Sequence, residues 1–497
     1  MEFTNGDYAK LNCDIKIIDN RAVLTGDFSV PFVQEITSYP VQGANFSEAY
    51  RRGRWDGRKH LFNLKKSEIP AGLVAYVVKK LKEKYEDIKI TVTDSRESAA
   101  PATAARGLDV EGRLKGMFGK DKFDYQMEAA EACLRYKRGI LKIATNGGKS
   151  VISAAVTRHL CVPTLFVVPG KDLLYQILRS YADFLGLQEE DIGVIGDGHF
   201  NVGSWVTIAI DDSLYNKLES GDLDKYKNYW DLVWFDECHT TGSDTLYNAA
   251  DKLTAYYRFG LSGTPLDRSD GATLRLIAQT GEVIYEVKNT LLVERGISVQ
   301  PLVKFIRVDQ PKVPSTRKGK KLTYMEVYNE AVVENPFLNS KIADCAINFL
   351  NEGKQCIIMV DKLLQGEIID EMLFSISGKF LHGSLSSKER KESFQKFVEG
   401  EYRYLIGTSI MNQGIDMDCI DVLIFAGGGK AAIPTLQRAG RGLRSGNNRS
   451  EVVIVDVINT CHKWLIKHTQ QRIETYKKEE CFVMSMLDEE SGSSRQR

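Results

Sequence analysis

Short aliphatic and β-branched runs alternate with helix-period stretches in two successive blocks, and no other feature constrains the fold of this chain so tightly. The first block has runs at 165–168, 206–210, 232–235 and 259–261; the second has them at 356–360, 404–406, 422–425 and 452–455. Runs that are apolar almost throughout fit strands buried on both faces, and intervening helices make such strands parallel. Two blocks therefore predict two α/β lobes, at 121–288 and 289–475. Ahead of them, residues 1–95 mix short alternating stretches with a helical pattern over 72–85, where Leu73, Val77, Val78 and Leu81 recur at helical spacing. This predicts a small α+β unit.

Residues 96–120 turn to Ser, Ala, Gly and charge and read as a linker. Residues 311–321, rich in Pro, Lys and Arg, are expected to form a mobile excursion near the start of the second lobe. Residues 476–497, ending in a polar stretch from Glu489, are expected to be a C-terminal tail.

Lys+Arg 66 balances Asp+Glu 66 over 497 residues, so no global field attracts a polyanion and any nucleic-acid surface must be local. The 9 cysteines are scattered and form no CxxC pair, which favours reduced thiols over disulfides or a zinc site. The start of the chain, with Glu2, Asn5 and Asp7, lacks a signal-peptide profile, and no apolar run approaches the roughly 18 residues that span a bilayer. A soluble cytoplasmic protein, without a membrane, is expected.

The run Leu232, Val233, Trp234, Phe235 ends abruptly in Asp236 and Glu237. In an open α/β sheet ligands bind at the carboxyl ends of strands, and a Mg²⁺-nucleotide needs one acid near the metal and another to orient water. The plain alternative is an ordinary polar exit from a sheet. Upstream, Thr145, Asn146, Gly147, Gly148, Lys149 and Ser150 precede a helical run. Backbone N–H groups at such a helix start face a phosphate, Lys149 would reach the β- and γ-phosphates, and Ser150 would ligate Mg²⁺ with Asp236. The P-loop pattern asks for glycine where Ile143 stands. Phe123 and Gln126 lie ahead of this loop; Gln126 can both donate to and accept from an adenine edge while the aromatic residue stacks. In the second block Gln437, Arg438, Gly440, Arg441, Gly442 and Arg444 bring arginines and glycines together, a set able to place guanidinium groups on a γ-phosphate.

Together these segments resemble superfamily 2 helicases. Gly147 to Ser150 looks like motif I, Asp236-Glu237-Cys238-His239 like motif II, Ser262-Gly263-Thr264 like motif III, and Gln437 to Arg444 like motif VI. Thr408 with Gly414 and Asp416 is similar to motif V, and the matches run from about 120 to 460 in the family's order. The resemblance implies two RecA-like parallel-sheet lobes behind a small α+β DNA-binding domain, with ATP and Mg²⁺ as cofactors. It implies catalysis by Lys149, Asp236, Glu237, Arg441 and Arg444, nucleotide contacts from Gly414 and Asp416, a strand contact at Thr408, and coupling through His239, Ser262, Thr264, Gln437 and Arg438. The sequence departs from the family at Ile143 and at Asp211-Asp212-Ser213, where many relatives carry Gln before the Ser/Thr.

Within the first 95 residues, Arg51, Arg52, Arg54, Arg58 and Lys59 crowd around Trp55 against the single acid Asp56, continuing to Lys65 and Lys66. Cations there can take phosphates, while Trp55 either stacks on a base or packs beneath the patch. A solvated surface is the alternative. The stretch 50–58 with 70–74 is similar to phage-type recombination helicases, which implies branched or forked DNA as partner. RNA is not excluded. Branch migration, fork regression and strand separation stay open, as do a duplex-DNA translocase that never separates strands and a nucleotide-dependent binding module without productive hydrolysis.

Overall fold

The computed structural model describes residues 11–41, 43–100, 118, 121–238, 244–263, 272–308, 310–408, 420–429, 451–478 and 481–487. Two compact units divide between Lys288 and Asn289.

The first unit opens with a sheet of β1 (Asn12–Ile18), β2 (Arg21–Thr25), β5 (Glu68–Pro70) and β6 (Lys89–Asp94) in the order β5-β2-β1-β6. A separate hairpin pairs β3 (Ser38–Pro40) with β4 (Arg58–His60). Strict alternation in β1, with Cys13, Ile15 and Ile17 turned inward, seats the sheet on the helix Val74–Lys84, which buries Val74, Val77 and Leu81. The expected helix over 72–85 thus begins two residues later, at Val74, after a 3₁₀ turn at Ala71–Leu73.

This small core does not close on itself. It runs into the helix Ala272–Thr280 through Ala278, Ile277 and Leu274. Gly72 lies so close to the carbonyls of Ile277 and Ala278 that a Cβ there would overlap both.

The larger sheet of the same unit contains β7 (Arg138–Ile143), β8 (Thr164–Val168), β9 (Gly193–Gly196), β10 (His199–Phe200), β11 (Val206–Ile210), β12 (Leu232–Phe235), β13 (Tyr257–Ser262) and β14 (Val283–Val287). Their order is β10-β9-β11-β8-β12-β13-β7-β14, parallel except for the β9–β10 pair. Every residue of β8, β12 and β13 is buried, as expected for strands covered on both faces.

The second unit carries β15 (Gln300–Arg307), a hairpin of β16 (Thr316–Arg317) and β17 (Lys320–Lys321), then β18 (Cys356–Met359), β19 (Gly378–Leu381), β20 (Tyr404–Gly407), β21 (Val422–Phe425), β22 (Glu451–Ile458) and β23 (Val483–Met486). Its main sheet has the order β19-β20-β18-β21-β22-β15-β23 and is parallel throughout.

Two expectations need correction. The tail does not begin at 476: the helix Lys463–Lys478 buries Tyr476 completely, and β23 adds the last strand to the sheet, because Phe482 and Cys481 still belong to the core. The excursion at 311–321 is an ordered hairpin, held by Val313 N–H on Cys461 O at 3.1 Å. The linker's first residues are tied down: the Arg96 guanidinium stands 4.6 Å from the Tyr256 ring centroid, and Ser98 Oγ and Ala99 N–H donate to the Asp231 carboxylate, each at 3.1 Å. Every cysteine among the described residues is a free thiol, and no helix among them is long and apolar enough to cross a membrane.

Candidate functional site

Three loops converge at the carboxyl edge of the first unit's main sheet, because β12, β13 and β7 are adjacent and parallel. The loop after β7 leads into the helix Lys149–Leu160, whose buried residues, Val151 through Thr157 and Leu160, fix it against the sheet. Ile143, standing where the P-loop pattern asks for glycine, is instead the last residue of β7 and fully buried. The left-handed positions fall later, at Asn146 (φ 70°) and Gly148 (φ 79°). At Gly148 the requirement for glycine is twofold: the φ is left-handed, and a Cβ would overlap Gln126 Nε2. The loop's exit is the N-terminus of a 12-residue helix, where unpaired backbone N–H groups favour an anion.

Opposite the loop, β12 ends in the acids. Asp236 N–H extends the ladder by bonding Val167 O at 2.9 Å, and its Oδ1 accepts Glu237 N–H at 2.9 Å. Glu237 takes a left-handed φ of 44°, a conformation rare for a non-glycine residue and one that functional sites concentrate. Its Oε1 meets Lys149 Nζ at 3.1 Å, the two side chains being 30% and 14% exposed. Burial pushes the Lys149 ammonium down, but the carboxylates of Glu237 and Asp236 outweigh it and hold the group above the ordinary lysine range.

Cys238 packs over Gly260 of β13, where a Cβ would come within 2.8 Å of its sulfur, and burial pushes its thiol well up. It fills space between β12 and β13. Ser262 closes β13, fully buried, and the Cβ position of Gly263 lies 3.3 Å from both Ile143 O and Thr145 Oγ1, so the third loop abuts the first.

The residues fit Mg²⁺ with a nucleotide. A hydroxyl at Ser150 and a carboxylate at Asp236 are hard oxygen donors, and Mg²⁺ ordinarily takes only one or two protein oxygens and keeps waters and substrate phosphates for the rest. The Lys149 cation and the helix N-terminus supply the complementary charge for phosphates.

Gln126, expected to meet an adenine, lies on the helix Asp124–Tyr136 next to the loop after β7. It is 4% exposed and turns its Nε2 onto Gly147 O at 3.4 Å, so it braces the phosphate loop. Phe123 ends the 3₁₀ turn Asp121–Phe123 and is half-buried, with Lys122 Nζ 5.2 Å from its ring centroid. Thr408 directly follows β20 in the second unit and is half-buried. His239, Thr264, Gly414, Asp416, Gln437, Arg438, Arg441 and Arg444 lie outside the described residues.

The basic stretch near the N-terminus folds around the β3–β4 hairpin. Arg51, Arg52, Arg54 and Lys59 are exposed, but several cations have local tasks. Arg58 donates from Nε and Nη2 to Ser38 Oγ and Ser38 O, both at 2.9 Å, and Arg51 donates to Asn45 O and Phe46 O at 3.2 and 2.7 Å. Arg52 pairs with Glu48. Trp55 is half-buried and gives its indole N–H to Arg58 O at 2.8 Å.

Two arginines escaped the sequence reading. Arg258, fully buried on β13, uses all five N–H donors: on Gln279 O and Oε1, on Asn20 Oδ1, and on the carbonyls of Ala250 and Leu253, at 2.8–2.9 Å. Burial pushes its pKa down to about 10, with Asp251 opposing. Together with the Arg21–Asp251 ion pair, it fastens the β1–β2 turn to the large sheet.

In the second unit Arg472 and Asp456 form a fully buried pair at 3.0 Å, and Arg472 Nη1 donates to Gly428 O and Gly429 O at 3.0 and 3.3 Å. That fixes the chain leaving β21. A charged residue inside an otherwise apolar strand run was the available signal for Arg258 and for Asp456.

Residues 120–267 match the family model of the Type III restriction enzyme, res subunit, and residues 335–446 match the Helicase conserved C-terminal domain. Over 376 residues the chain is 27% identical to the DNA 3'-5' translocase XPB2 of Sulfurisphaera tokodaii, an alignment covering 68% of this chain and 82% of that one. Over 496 residues it is 23% identical to the ATP-dependent DNA helicase uvsW of Enterobacteria phage T4, covering 92% and 95% respectively. The helicase domain of Pyrococcus furiosus Hef shares the fold at a TM-score of 0.50 and 15% sequence identity, over 71% of this chain and 97% of that one.

Proposed function

The chain belongs to the superfamily 2 DNA helicases and translocases, and from that membership we propose that it hydrolyses ATP to move on DNA and to remodel branched or forked substrates in recombination, repair or replication. The observation that carries the hydrolytic part is the meeting of Lys149 with Glu237, beside Asp236, at the carboxyl ends of adjacent strands.

In this reading the N-terminus of the helix Lys149–Leu160 and Lys149 bind the β- and γ-phosphates. Ser150 and Asp236 would hold Mg²⁺, which when bound neutralises charge developing on the transferred phosphoryl group. Glu237 orients the attacking water and accepts its proton. Ser262, beside the phosphate loop, registers the state of that loop and passes it to the residues that follow. Arg441 and Arg444 are assigned to the γ-phosphate, with Gln437, Arg438, His239 and Thr264 as couplers and Gly414 and Asp416 as further nucleotide contacts. Thr408, together with Arg54, Lys59 and the other exposed cations of the N-terminal domain, is assigned to the DNA backbone.

Turnover of ATP by the wild-type protein and by Glu237→Gln, with and without forked DNA, tests the proposal. DNA-stimulated turnover that the substitution abolishes supports it; turnover that survives the substitution removes Glu237 from the chemistry.

A second reading is movement on duplex DNA without strand separation; the similarity to a protein named a DNA 3'-5' translocase supports the movement. Displacement of a triplex-forming strand without unwinding of forks or four-way junctions would select it.

A further inference from the structure

We propose that the β16–β17 hairpin is a second nucleic-acid grip, taking backbone phosphates at the carboxyl edge of the second unit's sheet. The inference rests on DNA being the substrate.

The hairpin is built for presentation. Arg317 pairs with Lys320 and Thr316 with Lys321, leaving Lys318 and Gly319 as the loop, and both have positive φ, 47° and 76°, as a type I′ turn requires. All of residues 316–321 are exposed. Its feet are fixed: Val313 is buried and bonds Cys461 O at 3.1 Å, Leu322 N–H closes on Ser315 O at 3.0 Å, and Ser315 Oγ lies 3.2 Å from His462 Nε2. A capping box of Thr323 and Glu326 then starts the next helix, Tyr324–Tyr328.

Its charge works against its own folding. Arg317 and Lys320 face each other across the strands, an arrangement that destabilises a hairpin. Glu330 offsets part of this by taking both carboxylate oxygens to Arg317 Nη2, at 2.8 and 2.9 Å. Lys318, Lys320 and Lys321 form no ion pair within 4 Å among the described residues, although hydrogen bonds from Thr323, helped by the nearby Lys320 charge, hold the Glu326 carboxyl below its ordinary range. In a chain whose formal charges cancel overall, three exposed lysines on an anchored turn form a local anion-binding surface.

Position supplies the second argument. The hairpin leaves the carboxyl end of β15, which is parallel to β22, β21, β18 and β20. The same edge carries Thr408 after β20 and Gly427 to Gly429 after β21, and carboxyl edges are where open α/β sheets meet ligands. None of residues 316–321 is aromatic, and the one planar cation, Arg317, is held by Glu330, so the tip offers ammonium groups and no ring to stack on a base pair. It therefore holds phosphates and sets register, and does not wedge strands apart.

The test measures DNA affinity against salt for the full chain, using a forked DNA of arbitrary sequence. The variants are Lys318→Gln/Lys320→Gln/Lys321→Gln and, as an equal charge change elsewhere in the unit, Lys388→Gln/Lys391→Gln/Lys396→Gln. The hairpin variant is expected to lower the slope of log affinity against log salt by about two to three, at roughly 0.7–0.9 per lost phosphate contact, with basal ATP turnover unchanged and no change in the control. An unchanged slope, the result if the hairpin meets an acidic protein surface, overturns the inference, as does an equal fall in both variants. A wild-type protein that does not bind DNA overturns the functional reading itself, an outcome separate from either of these.

Discussion

Lys149 Nζ and Glu237 Oε1 stand 3.1 Å apart, so the cation expected on the phosphates and the carboxylate expected on the attacking water are each other's partners. Neither can perform its task while fully engaged with the other. In the proposed cycle a bound γ-phosphate would compete with Glu237 for the ammonium, and its arrival would free the carboxylate to orient water. Glu237→Gln removes the competitor while keeping the shape. ATP turnover is expected to fall by about 10²–10⁴, with nucleotide affinity retained or tightened, as read by single-turnover hydrolysis beside titration of a fluorescent ATP analogue. Weakened affinity would show that the pair supports binding.

At Gly148 two constraints coincide, the left-handed φ and the approach of Gln126. Gly148→Ala costs roughly 1–2 kcal/mol of backbone strain and displaces the Gln126 amide from Gly147 O. Nucleotide affinity is expected to drop about tenfold or more, and Gln126→Ala in that background should restore part of it by making room. Complete additivity of the two substitutions in a double-mutant cycle would contradict the contact.

Arg258 joins the N-terminal domain to the first unit's large sheet through buried acceptors that have no water to fall back on. Arg258→Met should destabilise the protein by about 3–5 kcal/mol, since several of those acceptors lose their donor. Chemical denaturation would show it as a lowered midpoint. A loss below about 1 kcal/mol would mean that the acceptors find other donors.

His462 gives a pH dependence. The ring is 4% exposed; burial first, and Lys463 second, hold its pKa below the ordinary histidine value, and Nδ1 accepts Trp464 N–H at 3.3 Å. The unfolded chain takes up this proton near about pH 6.5, whereas the folded chain refuses it until lower pH. His462 therefore contributes stability that is present above that pH and is lost as pH falls through the folded value. Melting temperature measured from pH 7.5 to 5.5 should fall more steeply in the wild type than in His462→Gln, and equal slopes would remove His462 as the cause.

Much of this was legible in the sequence because strands buried on both faces leave a continuous apolar record. The runs 206–210, 232–235 and 422–425 are strands at those bounds, and Asp236 and Glu237 stand at the strand end where the reading placed them. What failed depended on long-range pairing. The sequence Val483-Met484-Ser485-Met486 is too short and too exposed to declare itself, and becomes a strand only beside β15. The hairpin at 316–321 is almost wholly polar, so its only local signal was Lys-Gly at the turn. The contact of Gln126 with Gly147 O was not legible either, since it follows from the helix Asp124–Tyr136 packing on the helix Lys149–Leu160, which composition does not reveal.

The most direct test of the account is ATP turnover by the wild-type protein in the presence of single-stranded, duplex, forked and four-way DNA and of RNA, at one fixed salt concentration. The account predicts turnover stimulated by DNA and most strongly by forked or four-way substrates. Turnover indifferent to nucleic acid, or stimulated by RNA alone, would contradict it.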